Sequence, residues 1–594
     1  MMKVIKMKLR WIFFSCLCVV AARAGGVEAD ETFRLDPSLI RETWGGGKQA
    51  RKFFDEQLPA CFERTLKFSR WGEASGRLDW IFTGPRAGVT LKIAANEVRL
   101  VTRHYDSLAL PSDKTKGVDQ SVATGQVSSV TLRLDHRLML TVLVNGRQAA
   151  QQLWMHDLVH HQARQQGGGA IEAQLMRPAT GDVVVRVQPE RRHQTILGFG
   201  GITLAPAYRL LSAEGQRQWW QLLRDYNLLL HREYPMGAQL NTAMDNWEQP
   251  ADAVPHYYGD NFPNSEVCDF AYLKQLRSIG GRVMFEFWKL PPWAEQEVAK
   301  YAAAIVRYCQ LSQEKTGRAP EIVGIQNEVR QPAEKFQAMT LALRQALDAA
   351  GFRDVQIHMA DSAVLSAGLG YLKDFQARPE VWRAIDYAAT HMYDYQQAFT
   401  DPDRFDALLR QYRAQAGSKP VLSTELCVND GRFQTDSYRV ALQLGQLYHK
   451  NLVLMDATAL AYCWLLLNVE QPSFGMTRSL FVPDLQRGGV PVASSAQLRV
   501  FGAYSRKIKQ GMVRVEAESP DADVLTTAFA GKDGRATVVV LNRSLHPVRV
   551  AIAWPGVTFT STETCSPYAP NSAGAADQRL VPPGGILTLT NVEK

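Results

Sequence analysis

Between residues 196 and 464 the chain offers eight short apolar runs with longer amphipathic ones between them, and few folds accept that rhythm. The strand-like runs are 196–200, 227–235, 282–288, 322–327, 355–360, 385–392, 420–424 and 457–464. Helical patterns at 212–224, 269–279, 297–313, 335–350, 403–415 and 436–448 separate them. Strands alternating with helices pair in parallel, because each crossover returns the chain to the same edge. Eight such units over roughly 300 residues is the count of a closed (β/α)₈ barrel. An open doubly wound sheet is the rival. It would want a phosphate-cradling glycine loop after the first strand, and Gly198-Phe-Gly-Gly201 lacks that spacing. These glycines are better read as close backbone packing. The fold class is therefore α/β, with the barrel at 191–510.

Both flanks read as sheet. After a helical stretch near 47–65, residues 31–190 carry strand patterns at Val89–Ile93, Val98–Val101, Val130–Leu134, Leu138–Val144 and Val183–Val187. Asn145-Gly146 is a strong two-residue hairpin signal. The region is expected to be an N-terminal β-sandwich. Its Leu140-Thr-Val-Leu-Val-Asn-Gly146 segment resembles a piece of laminin-G-like and concanavalin-like lectin domains, which would imply carbohydrate binding; a plain structural module is the other reading. Residues 511–594 form a second, C-terminal β-sandwich, and the strand at 182–188 could join it.

The first residues are not fold. Lys3, Lys6, Lys8 and Arg10 precede the apolar run Trp11–Ala22, and Ala22-Arg23-Ala24 offers a cleavage site. That order predicts a signal peptide over 1–24 and a secreted or periplasmic protein. A retained anchor or a lipid-modified Cys16 are the alternatives. Cleavage would remove five basic residues and lower the net charge from +8 to +3. The remaining basic residues form no run, so no nucleic-acid partner is expected. No later apolar stretch is long enough for a stable membrane span. Six cysteines remain, with no Cys-x-x-Cys pair; Cys427 and Cys463 are expected to be buried thiols near strand ends. His156, His160 and His161 cluster outside the barrel without a metal-protease motif and read as solvated polar residues.

Two strands run straight into a glutamate: Ile322-Val-Gly-Ile-Gln-Asn-Glu328 and Pro420-Val-Leu-Ser-Thr-Glu425. In a barrel, both would arrive at the shared mouth formed by the strands' C-terminal ends. Two carboxyls facing each other across a ligand suit glycosidic cleavage: one protonates the leaving oxygen, the other supplies an electron pair. Asn327 adds a side-chain amide beside Glu328. Glu286 and Glu233 are the competing acids, on the third and second strands, where either could bind substrate.

As a set, these pieces resemble glycoside hydrolase family 30. The matching residues are Gln194-Thr-Ile-Leu-Gly-Phe-Gly-Gly201, Arg232 with Pro235-Met-Gly237, Trp288 with Leu290-Pro-Pro-Trp293, and Gln326-Asn-Glu328. They continue with His391-Met-Tyr393, Ser423-Thr-Glu425, Trp464 and Phe501–Gly511. The resemblance covers about 190–594. It implies a retaining β-glycoside hydrolase with Glu328 as acid/base and Glu425 as nucleophile. Arg232 and Tyr393 would hydrogen-bond the nucleophile, with His391 on the same strand face as Tyr393. Asn327 would contact a sugar hydroxyl, and Trp288 and Trp464 would wall the subsite nearest the bond. The chain departs from the family at Lys289-Leu290 and at Asn241–Trp247, where Asp245 and Trp247 become candidate sugar contacts. The implied partner is an oligosaccharide, polysaccharide or glycoconjugate, and neither metal nor cofactor is called for. A non-catalytic carbohydrate-binding protein that kept the barrel is the alternative.

Overall fold

The computed structural model describes residues 51–593, apart from 73–74, 106–114, 167–169, 204, 234–239, 249–267, 434–436, 467–478, 485–488, 493–494, 568–570, 576 and 578. The expected leader lies outside the described residues.

The barrel strands are β1 (Gly198–Thr203), β2 (Leu228–Glu233), β3 (Arg282–Phe285), β4 (Ile322–Gly324), β5 (Gln356–His358), β6 (Ala388–His391), β7 (Val421–Leu426) and β8 (Ala457–Leu466). Each pairs in parallel with its chain neighbour, β1 also pairs with β8, and a parallel bridge from His358 to Tyr387 spans the remaining gap between β5 and β6. The observed strands fall within two or three residues of the expected runs. The main difference is β4, which ends at Gly324, so Glu328 stands on the loop beyond the strand.

β1 is rich in glycine because its neighbours come close. A Cβ on Gly200 would lie 1.8 Å from the Leu230 carbonyl oxygen, and one on Gly201 would lie 2.0 Å from that of Tyr462. The glycines pack backbone against backbone on both sides. Helices start where short polar side chains accept from backbone N–H groups. Ser212 accepts from Gly215, Asp269 from Tyr272 and Ser437 from Val440.

The amino-terminal unit is two stacked antiparallel sheets, of six and five strands. Alternate residues point inward, as in Arg77–Thr83, and Trp80, Phe82, Leu91, Leu132 and Leu140 meet in its core. The helix expected near 47–65 is replaced by two strands, Arg51–Gln57 and Phe62–Arg70. Phe62, Leu66 and Phe68 recur on even positions, and pairing with neighbouring strands decides the conformation. Asn145 and Gly146 both adopt positive φ between Met139–Val144 and Arg147–Leu153, as a tight hairpin requires.

The second flanking unit is a nine-stranded curled sheet. Its long strand Gly181–Thr195 pairs with Val513–Glu518 on one edge and Val548–Ala553 on the other, then leads into β1. The barrel and this unit are thus joined at both ends of the barrel segment.

The helix after β7, Tyr438–Leu454, is buried on almost every side. Barrel helices normally leave one face to water. Here both flanking units cover it. Asp157 accepts from the backbone N–H groups of Tyr438 (2.8 Å) and Arg439 (3.1 Å). The buried Arg439 guanidinium donates to the carbonyls of Ala60 (2.7 Å), Asp135 (2.8 Å) and Trp154 (3.4 Å). No helix among the described residues is long and apolar enough to cross a membrane.

Candidate active site

The C-terminal ends of β2, β3, β4, β5, β6 and β7 deliver one polar cluster, centred on Arg232. This side chain is fully buried, an expensive place for a cation unless carboxylates surround it. Its Nη1 donates to Glu425 Oε2 at 2.6 Å. Its Nε and Nη2 donate to Glu286 Oε1 at 2.9 and 2.6 Å. Nη2 also reaches Asn327 Oδ1 (2.6 Å) and Asp361 Oδ2 (3.2 Å). One planar fork thereby fixes groups from four other strand ends, a task suited to arginine rather than lysine.

Glu425 lies inside β7 and is paired in register with His391 of β6. Tyr393 donates its hydroxyl hydrogen to the second Glu425 oxygen at 2.5 Å. Burial alone would raise the Glu425 carboxyl. His391, Arg232 and the Tyr393 hydroxyl outweigh it and hold the group below the ordinary carboxylate range. Glu425 is an ionised carboxylate at neutral pH.

Glu328 sits on the loop past β4 with a positive φ of 52°, and its side chain is 29% exposed. That backbone conformation is costly for a residue with a Cβ. It is held by the Glu328 N–H, which donates to the Asp361 carbonyl at 3.0 Å. Glu328 Oε1 lies 2.7 Å from His391 Nδ1. Burial disfavours charge on His391, but Glu425, Asp361 and Glu328 around it push its pKa up to about 10. The imidazolium therefore bridges Glu328 to Asp361, whose Oδ2 is 3.4 Å from Nε2.

An oxygen of Glu328, an oxygen of Glu425 and a nitrogen of His391 all lie within 4.8 Å of one another. Glu286, His358 and Asp361 form a second such group, buried beneath. Either spacing is close enough for a cation, but Arg232 and the protonated His391 already supply positive charge to these carboxylates. One half-exposed and one buried acid, held this close with unlike surroundings, can divide proton donation and nucleophilic attack between them.

The structure thus gathers Glu328, Glu425, Arg232, Asn327, His391 and Tyr393. Trp288 is half-buried just past β3, and Trp464 is buried in β8 after a cis Cys463–Trp464 peptide. Two candidates fall elsewhere. Trp247 is buried against Phe285, Phe287 and Tyr308 and is a core residue, because its loop folds inward behind β3. Asp245 is exposed and bonded to Asn241 in a turn. Glu286 does not point into the mouth; it lies under Arg232 with no exposure. Glu233 is tied to His231 at 2.6 Å.

Sequence reading missed Asp361 altogether. Its signal was an acid immediately past the fifth strand, in Met359-Ala-Asp361-Ser. The cysteines expected near the site are there: Cys427 Sγ is 3.6 Å from the Tyr393 hydroxyl, and both it and Cys463 are buried. Two of the three histidines clustered outside the barrel are not solvated, and His160 is half-buried. His161 is fully buried between Trp80 (3.1 Å) and Glu56 (2.6 Å), and His156 is buried too.

Residues 511–587 match the family profile described as the glycosyl hydrolase family 30 beta sandwich domain. A search of curated proteins by sequence returned no match. Among solved structures, the catalytic domain of GH30 xylanase C from Talaromyces cellulolyticus is 17% identical, with a TM-score of 0.52 over 69% of this chain and 100% of that one. SrfJ from Salmonella typhimurium is 18% identical, with a TM-score of 0.52 over 72% and 96%. An endo-β1,6-glucanase is 14% identical, with a TM-score of 0.53 over 70% and 96%. At these identities the likeness is one of fold: a barrel with a carboxy-terminal sandwich, as seen in glycoside hydrolase family 30.

Proposed function

We propose that this protein is a retaining β-glycoside hydrolase, with Glu425 as nucleophile and Glu328 as acid/base. The observation that carries this reading is the approach of one oxygen of each carboxylate to within 4.8 Å at the ends of β4 and β7. Retaining enzymes hold their carboxyls about 5 Å apart, too close for a water between attacking group and sugar.

In the first step Glu425 attacks the anomeric carbon while Glu328 gives its proton to the leaving oxygen. The bond to the leaving group breaks as the glycosyl ester forms. In the second step Glu328 takes a proton from water, which attacks the same carbon and frees Glu425. His391 lies 2.7 Å from Glu328 and, as an imidazolium, stabilises the carboxylate left on Glu328 once its proton has gone to the leaving oxygen. Tyr393 and Arg232 hold both oxygens of Glu425, aim it, and keep it ionised. Because Asn327 Oδ1 is turned inward onto Arg232, its amide N–H groups are left to meet the sugar. Trp288 walls the cleft.

The substrate is a β-linked glycan or glycoconjugate met outside the cytoplasm, as the leader expected over 1–24 suggests. One protein of like fold is an endo-β1,6-glucanase, which fits a β-linkage. Screening the purified protein against arrayed β-linked glycans, with Glu425→Ala as the blank, tests the activity. Proton NMR of the first-released product tests the stereochemistry. Cleavage confined to α-linkages, or net inversion, would overturn the reading.

A further inference from the structure

Beneath the proposed nucleophile lies a knot of three side chains that the double displacement does not use. Glu286 follows β3, His358 ends β5 and Asp361 lies just beyond it; all three have no exposure. Each keeps one polar atom without a hydrogen-bond partner: Glu286 Oε2, His358 Nε2 and Asp361 Oδ1. The space for them comes from β4. A Cβ on Gly324 would fall 2.3 Å from the His358 ring and 2.9 Å from the Glu286 Cβ.

The hydrogen count of this knot does not close unless something is added. His358 Nδ1 lies 2.7 Å from the Met359 carbonyl oxygen, which can only accept, so the ring hydrogen is on Nδ1. In a neutral ring Nε2 is then an acceptor. It lies 3.7 Å from Glu286 Oε1, the oxygen that Arg232 already holds, while Nδ1 lies 3.9 Å from Asp361 Oδ1. One ligand atom of each of the three side chains lies within 4.8 Å of the others, and two carboxylates this close, each with an unpaired oxygen in a dry site, are expensive to keep both ionised.

We propose that Glu286 is a protonated carboxylic acid in the folded enzyme, its hydrogen on the otherwise unpaired Oε2, and that it acts as a neutral positioning residue for Arg232. Oε1 then accepts the two Arg232 hydrogen bonds without cancelling the guanidinium charge. That charge stays directed at Glu425. The facing groups agree. Asp361 accepts from Arg232 and lies beside the protonated His391, so it keeps its own charge. Burial lowers His358, leaving it neutral. Burial raises Glu286 to about 8; Arg232 and His391 pull the other way, and Asp361 adds to the rise. Buried Tyr301, on the helix after β3, and Asn327 bring no charge. Glu425 and Glu328 are the remaining acids of the cluster, and both are negative neighbours when ionised.

The inference deepens the proposed glycosidase site, and its test does not depend on turnover. Infrared difference spectroscopy at pH 6.5 should show a carbonyl stretch of a protonated carboxyl group, shifted in heavy water. The band should vanish in Glu286→Gln and persist in Glu328→Gln, which removes the other candidate acid. In wild type it should disappear as pH rises through about 8. The thermal midpoint of wild type should also fall, relative to Glu286→Gln, as pH rises from about 4.5 toward 8, because the folded state holds a proton that the unfolded chain has lost. If Glu286→Gln does not fold, the wild-type titration and Glu328→Gln still decide. A band lost in Glu328→Gln, no band at pH 6.5, or one equivalent of bound metal in the purified protein would overturn the proposal. Inactivity on every glycan with the band intact would instead sink the glycosidase reading alone.

Discussion

Arg232 and Glu425 come from strands that are not neighbours, and a 2.6 Å hydrogen bond joins them inside the barrel mouth. The same guanidinium holds Glu286, Asn327 and Asp361, so five strand ends share one buried charge. Stability and proposed chemistry are therefore coupled through a single side chain.

Arg232→Ala should cost about 3–5 kcal/mol, the range for removing one partner of a buried ion pair. Arg232→Lys should recover little of it, because a point charge cannot serve four acceptors in one plane. Denaturant unfolding of both variants measures this. A loss under 1 kcal/mol for Arg232→Ala would contradict the central role.

Glu425→Ala and Glu328→Ala should each lower kcat/KM by about two to four orders of magnitude, the range for losing a positioned catalytic group. Azide should restore turnover to Glu425→Ala and give a glycosyl azide of inverted configuration. Glu286→Gln should retain measurable activity, since it keeps a neutral group under Arg232. If it is as inactive as the other two, Glu286 has a role in the chemistry itself.

Trp247→Ala and Trp288→Ala should separate cleanly. Trp247 is packed among Phe285, Phe287 and Tyr308, so truncation should destabilise by about 3–5 kcal/mol. Trp288 is half-buried just past β3, and on the proposed reading its loss should raise KM with a smaller stability change. Melting temperatures and KM values read side by side decide it; a raised KM for folded Trp247→Ala would return that residue to the cleft.

The pH dependence of stability carries the mark of His391. Its folded pKa is raised from 6.5 to about 10, so its contribution is full below 6.5 and lost as pH rises through about 10. Glu425 is shifted the other way, so its contribution is present above its unfolded value and lost as pH falls. Thermal midpoints from pH 6 to 10 should drop more steeply in wild type than in His391→Gln. Parallel curves would mean that His391 is neutral in the native protein.

The barrel was legible in the sequence because its signal is repeated. A change of period from two to 3.6, repeated along eight strand-like runs and six helical ones, tolerates errors at every boundary. Glu328 and Glu425 were legible because an acid at the end of an apolar strand is out of place locally. Asp361 has the same placement, but its neighbours Ala360 and Ser362 give no hint of Arg232, which lies 129 residues away in the chain. Trp247 was misplaced because an indole in a loop serves a core or a cleft equally well, and only the tertiary path distinguishes them. The first strands of the amino-terminal unit were misread near 47–65 for the same reason: their alternation is weak, and pairing partners some hundred residues distant set the conformation.

The grip of Arg439 and Asp157 on the amino-terminal unit has a geometric consequence. The helix they hold follows the strand that bears Glu425, so the unit is bolted to the barrel rather than hung from it. A tethered module searches a volume and works by local enrichment. A bolted one offers a single distance and a single angle. Any ligand that touched both this unit and the cleft would have to match that span, and its length and curvature, not its abundance, would decide the fit.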